Sequence, residues 1–169
     1  MGRAGDFALS LDSPAGGERT LIVELVTTLC IEGKFAMNNV QLARNVYDAF
    51  GRGDIAAVLD LFESDMEWHP AEGHPFRPDG SPWIGRDAIA EGFFARIGEA
   101  WSSFTVTPRA FHDAHDAVVV EGRYTGVLKG SGHTIDAQFC HIWTTRDGKM
   151  RSFQQYMDTA KLQDAMGAR

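Results

Sequence analysis

Apolar positions recur along this chain with two different spacings, and the change between them divides it. Ala43, Val46, Tyr47 and Phe50 stand at i, i+3, i+4 and i+7, which gathers them on one face of a helix. Asn38 with Gln41 three residues later reads as a capping box at its start, and Gly51 stands where a helix C-terminal glycine belongs. Asp54 can cap a second helix, in which Ile55, Val58, Leu59 and Phe62 repeat the spacing. A short strand, "MEWH", follows and stops at Pro70. The stretch "PAEGHPFRPDGSPWIG" holds four prolines and three glycines, so it must run irregularly over the surface. A third helix then places Ala90, Phe93, Phe94, Ile97 and Trp101 on one face. Beyond Trp101 the period drops to two: "SFTVTPRAF", "AVVVEGRYTGVL", "HTIDAQFCHIWTT" and "KMRSFQQYM" read as strands separated by turn clusters. Helices first and a meandering antiparallel sheet afterwards is an α+β layout.

Residues 1–36 follow neither period, and Met37 opens the well-formed unit. The expected organisation is a leader over 1–36, disordered or an extra element, and a domain over 37–169. A variant starting at Met37 is expected to keep its fold. The apolar run "TLIVELVTTLC" carries Glu24 and is too short to span a bilayer.

The alternation also sorts side chains by face. If the "RDG" turn is a three-residue loop, Thr145 pairs with Lys149 and His141 with Phe153. Phe139, His141, Trp143, Phe153, Gln155 and Met157 then share the bulkier face, assigned to the concave side of the sheet. Asp136, Gln138, Cys140, Ile142, Ser152, Gln154 and Tyr156 take the other. A two-residue turn would slip the register by one and send His141 outward. In the preceding strand Val118, Val120 and Tyr124 face inward, with Gly122 leaving room for a ligand. Ile142, Tyr156, Met150 and Cys140 would make the outer face too apolar for solvent, so a homodimer through the sheet is expected.

Composition narrows the partners. With 44% apolar residues the chain can build a real core, and 16 basic against 23 acidic residues give a net charge of −7. No basic block interrupts that, so neither nucleic acid nor an anionic membrane is an expected partner. Cys30 and Cys140 form no motif, which fits two reduced thiols in a cytoplasmic protein. His112 and His115 fall in a hairpin turn with no third ligand in register, so no metal site is expected.

The segments "YDAFGRGDIAAVLDLFESDMEW" (47–68), "IGRDAIAEGFFARI" (84–97) and "HIWTTRDGKMRSFQQYMDTA" (141–160), in this order of elements, resemble the family of nuclear transport factor two, ketosteroid isomerase and the SnoaL-like polyketide cyclases. The resemblance covers roughly residues 38 to 165. It implies a cone of three N-terminal helices packed on a curved antiparallel sheet around a pocket. It also implies cofactor-independent isomerase, cyclase or lyase chemistry, although the same fold hosts plain binding modules and dimeric interaction domains. By this resemblance His69, just before Pro70, stands close to the isomerase's general-base position, and an imidazole there could take an α-proton. The isomerase tyrosine aligns with Val46, beside Tyr47. Gln155 replaces an acid of the epoxide hydrolase branch and can hydrogen-bond but not shuttle protons.

The candidate catalytic residues are therefore His69, His141 and Gln155. Trp68, Tyr124, Phe139, Trp143, Phe153 and Met157 are candidates for lining a pocket, with His74 as a solvated loop residue over its mouth. The expected ligand is a small, apolar, carbonyl-bearing compound.

Overall fold

The computed structural model describes residues 38–168. The expected leader over 1–36 and Cys30 lie outside them. Helix α1 (Asn39–Gly51) begins as the pattern predicts, with the Asn38 side chain accepting from Val40 N–H. Gln41 does not close the box but donates to Asn45 instead. The helix runs through Gly51, and the left-handed residue that ends the turn is Gly53 (φ 71°). Asp54 caps α2 (Ile55–Asp60) by accepting from Ala57 N–H.

Strand β1 (Phe62–His69) is longer than the "MEWH" core, and a two-residue β2 (Trp83–Ile84) emerges from the proline-rich segment to pair with it. Three helical pieces follow without a break: α3 (Arg86–Ile89), a π-helical turn (Ala90–Phe94) and α4 (Ala95–Ala100). Phe93 and Phe94 both lie in the π turn and are buried in the core, on the shared face that their spacing predicts. Gly92 lies within the same turn because the Trp83 indole occupies the place of a side chain: a Cβ there would meet Nε1 at 2.1 Å. Trp101, expected on this helix, opens β3 (Trp101–Ala114) instead.

With β4 (Ala117–Leu128), β5 (Thr134–Arg146) and β6 (Lys149–Met157), the sheet runs in the order β2-β1-β6-β5-β4-β3. It is antiparallel except where β1 lies parallel to β6, a crossover that the helices make possible. A final helix, α5 (Thr159–Met166), is capped by Asp158 and ended by Gly167 at φ 63°. Its Leu162 and Ala165 pack with Trp101, Ile135 and Ala137 and close one end of the core.

The β5–β6 register differs from the expected one at two points that cancel. Asp147 (φ 50°) and Gly148 (φ 75°) form a two-residue turn pairing Arg146 with Lys149, so the three-residue loop is not what forms. Thr145 then faces Met150 while Thr144 faces Ser152, which makes Arg151 the extra residue of a bulge. One residue from the turn and one from the bulge add to two, and a period of two restores the face. His141 stands opposite Gln155, Phe139 opposite Met157, and Trp143 opposite Phe153. The bulge also rotates Met150 inward to full burial, removing it from the outer face where it was expected. Cys140, Ile142 and Tyr156 remain there, Tyr156 being 53% exposed. Among the described residues no helix is long and apolar enough to cross a membrane.

Candidate functional site

The concave face of the sheet, α1, the π turn and α5 enclose a cavity of about 60 Å³. At roughly 10–15 Å³ per water-sized position, that is about four to six such positions, room for a ligand of a few heavy atoms the size of acetone. Its wall is mainly aromatic, with Tyr47, Trp68, Phe93, Phe94, Trp143 and Phe153 among the lining residues, and among the described residues no Asp or Glu lines it.

Into this apolar space the fold sets one connected polar chain. His141, on the inner face of β5, is 3% exposed. Its Nδ1 lies 2.7 Å from the Tyr47 hydroxyl, and its Nε2 is hydrogen-bonded to the Tyr124 hydroxyl. Trp143 Nε1 donates to the Tyr47 oxygen at 2.9 Å. At the other end Gln155 Nε2 donates to the Tyr124 oxygen at 2.9 Å. The amide orientation of Gln155 is set by Ala71, whose N–H donates to Oε1 at 3.2 Å. Burial disfavours the charged imidazolium, which holds His141 well below its ordinary pKa of 6.5. Burial likewise raises both tyrosines, so their hydroxyls stay protonated.

Counting hydrogens gives this chain a definite property. A neutral imidazole has one N–H and one lone pair, so one tyrosine donates to the ring and the other accepts from it. Each tyrosine oxygen already accepts from Trp143 or Gln155. Whichever tautomer is present, one tyrosine hydroxyl hydrogen is left without an acceptor inside the chain. Both tyrosines line the cavity.

The remaining expected residues divide. Trp68, Tyr124, Trp143, Phe153 and Met157, expected as lining residues, border the cavity, and so does Gln155, expected as a catalytic candidate. Phe139 does not: its ring stacks on His141 at 3.9 Å and fills the place left by Gly122, where a Cβ would meet Phe139 Cζ at 2.2 Å. The room at Gly122 is thus taken by a side chain rather than offered to a ligand.

His69 is also placed elsewhere. It shares the outward parity of Glu67 on β1, its Nε2 bonds Glu67 Oε2 at 3.0 Å, and its side chain is 35% exposed. The alternation that turns Trp68 and Met66 inward turns His69 out, so it cannot reach a ligand in the cavity. His74, expected as a solvated loop residue, is buried against Phe76 and Phe93 and lines the cavity. Burial, aided by the nearby Arg96 charge, lowers its pKa to about 4. Its Nδ1 accepts from Phe76 N–H, which leaves the proton of the neutral ring on Nε2.

Tyr47 was on the predicted apolar face of α1 but not among the expected site residues, because periodicity reports burial and not what a hydroxyl meets. Leu162 and Met166, which also line the cavity, come from α5, signalled by Asp158 and Gly167. His112 pairs with Glu121 and His115 sits in the turn at φ 66°. No group of three or more His, Cys, Asp or Glu is placed to hold a metal among the described residues.

Comparison with known proteins agrees with this architecture. An NTF2-like protein from Burkholderia thailandensis E264 is 31% identical, with 76% of this chain and 97% of that one covered at a TM-score of 0.72. TerC, co-crystallised with polyporic acid, is 28% identical over 77% of this chain and 98% of its own, at a TM-score of 0.69. A protein assigned as a SnoaL-like polyketide cyclase from Jannaschia sp. CCS1 shares the fold at 20% identity, covering 78% and 93% of the two chains with a TM-score of 0.66. No curated protein matches. The family model of the SnoaL-like domain matches residues 43–153, well over half of the sequence, and the chain belongs to that family.

Proposed function

We propose that the cavity binds a small, uncharged, largely apolar carbonyl compound and polarises its carbonyl group. The observation that carries this reading is the Tyr47–His141–Tyr124 chain with its one surplus hydroxyl hydrogen, set in an aromatic wall. A carbonyl oxygen placed against that hydroxyl completes the hydrogen-bond count. The hydroxyl that donates outward is the one that accepts from the imidazole N–H, so the ring strengthens the donor. As negative charge develops on the oxygen, the fixed donor in a dry site stabilises it, as an isomerase or cyclase requires. TerC's co-crystallisation with polyporic acid supports small-ligand binding by a relative.

A second reading, binding without turnover, has one observation in its favour. Neither buried histidine offers a free lone pair, since both His141 nitrogens and His74 Nδ1 are already hydrogen-bonded. A proton acceptor for enolisation is then not provided by these rings as they stand.

The test compares acetone with 2-methylpropene, which has the same shape and no acceptor. The alkene leaves water far more readily, so a cavity without a donor would prefer it. Calorimetric titration is expected to find the ketone bound at least as tightly as the alkene. A clear preference for the alkene, or no ketone binding, overturns the proposal. Exchange of the ketone's α-hydrogens in deuterated water, followed by NMR, then separates the readings: acceleration by the protein supports catalysis, and none supports binding alone.

A further inference from the structure

Resting on the carbonyl-pocket reading, we infer that Gln155 is the positioning residue that decides whether the cavity has a donor at all, through the direction of its side-chain amide. The polar chain runs Trp143–Tyr47–His141–Tyr124–Gln155, and every member of it lines the cavity. One end cannot change direction. An indole nitrogen only donates, so Trp143 always gives its hydrogen to the Tyr47 oxygen. The other end can change, because a carboxamide carries an acceptor on one side and donors on the other.

With Gln155 Nε2 towards Tyr124, both ends donate into the chain. Its middle then holds three hydrogens, one on each hydroxyl and one on the neutral ring. Only two of them find acceptors there: one at the ring's lone pair, the other at the tyrosine oxygen facing the ring N–H. The third is the hydrogen left for a ligand. Turned by half a revolution, the amide would set Oε1 against Tyr124. Tyr124 would then donate to Oε1, the ring to Tyr124, Tyr47 to the ring and Trp143 to Tyr47. Every hydrogen would be consumed, and a carbonyl oxygen in the cavity would meet only lone pairs.

The backbone holds the amide in the donating direction. Ala71 N–H can only donate, and it lies 3.2 Å from Oε1, so the side-chain atom that faces it is the oxygen. A flip would set this N–H against the amide's own N–H groups where Ala71 and Gln155 are 5% and 2% exposed, and a buried donor without an acceptor is unfavourable. The loop carrying Ala71 is fastened in turn. His74 N–H donates to Ala71 O at 3.1 Å, and Gln163 of α5 donates to Gly73 O at 2.8 Å.

The test reads the donor from the infrared stretch of carbonyl-labelled acetone, using two variants with opposite expectations. Gln155→Glu keeps the shape and the acceptor for Ala71, but an ionised carboxylate only accepts, so it takes the Tyr124 hydrogen. At pH 9 the bound stretch is expected to move to its alkane value, with acetone affinity falling by about tenfold or more. When the carboxyl band in the same spectra shows protonation at lower pH, the carboxyl donates to Tyr124 and the wild-type stretch should return. Gln155→Met removes both amide atoms and orphans Ala71 N–H, so it should melt at a lower temperature. It leaves the surplus hydrogen in place, so acetone should bind within about threefold of wild type with its stretch still lowered. A side chain that only supported the fold would give the reverse order, with Gln155→Met harming binding and Gln155→Glu sparing it.

A wild type that binds no acetone, or prefers the alkene, removes the carbonyl-pocket reading itself. Wild-type binding with a lowered stretch that Gln155→Glu leaves unchanged while its carboxyl is ionised overturns the role of Gln155 alone. Loss of the lowered stretch in Gln155→Met does the same. So does a carboxyl that stays protonated at pH 9, since Ala71 and Tyr124 would then not both be donating to that position.

Discussion

Acid should unfold this protein through two buried histidines before most of its carboxylates titrate. In the folded state His74 has a pKa of about 4, and His141 lies well below its ordinary value of 6.5. The unfolded chain binds those protons near 6.5, so it holds more protons than the native state throughout the interval below. Stability from the two rings is fully present above about pH 6.5 and is lost as pH falls through the window down to the folded pKa values. Each ring contributes a slope of about 1.4 kcal/mol per pH unit in that window. Between about pH 8 and pH 4.5 the His74 ring should remove roughly 2–3 kcal/mol, and His141 adds to the loss in the same direction. Even the His74 part is a large share of the whole stability of a small domain, about 5–15 kcal/mol. The assay is urea denaturation, followed by circular dichroism, at several pH values for the wild type, His74→Gln and His141→Phe. His141→Phe starts lower at neutral pH by about 1–3 kcal/mol because it orphans one more tyrosine hydroxyl. Its slope below pH 6.5 should nonetheless be flatter by one proton. A wild-type curve flat between about pH 6.5 and 4.5, or a slope unchanged in both variants, would refute the placement of two neutral buried rings.

Other outcomes follow from named contacts. Gly122→Ala puts a Cβ against Phe139 Cζ at 2.2 Å and Thr107 O at 2.5 Å, and should cost about 1–3 kcal/mol by thermal melting. An unchanged melting temperature would mean that Phe139 is not held there. His69→Ala should leave ketone affinity within about twofold, since the ring faces away from the cavity and pairs with Glu67; a tenfold loss would return His69 to the site. Asp158→Ala removes the cap of α5 and should cost about 1 kcal/mol. Because α5 closes one end of the core, stopped-flow should also show faster ketone release, and an unchanged rate would separate α5 from gating. The outer face around Tyr156, Ile142 and Cys140 is expected to bury itself in a homodimer, and sedimentation showing only monomer at micromolar concentration would count against that.

The elements were legible because their causes are local. Asn38, Asp54 and the i, i+3, i+4 spacings announce α1 and α2, and alternation announces which β5 and β6 residues face inward. The exact pairing was not legible, because the bulge at Arg151 leaves no mark in the alternation of either strand. His141 kept its face only since the shorter turn and the bulge cancel. At His69 the family position and the strand's own alternation disagree, and the alternation, which puts it with Glu67, is what the fold follows. Tyr47 and His74 were undervalued for a shared reason. Their roles depend on contacts made across 94 residues to His141, or on a loop folded under Phe93, and neither leaves a mark in local sequence.

The central claim, a hydroxyl donor aimed at a ligand carbonyl inside an aromatic cavity, is tested most directly by the infrared stretch of carbonyl-labelled acetone bound to the protein. Hydrogen bonding lowers that frequency, so the bound stretch is predicted to lie well below its value in an alkane solvent and at or below its value in water. A stretch equal to the alkane value would mean that the ketone sits in the cavity without a donor, and it would contradict the account.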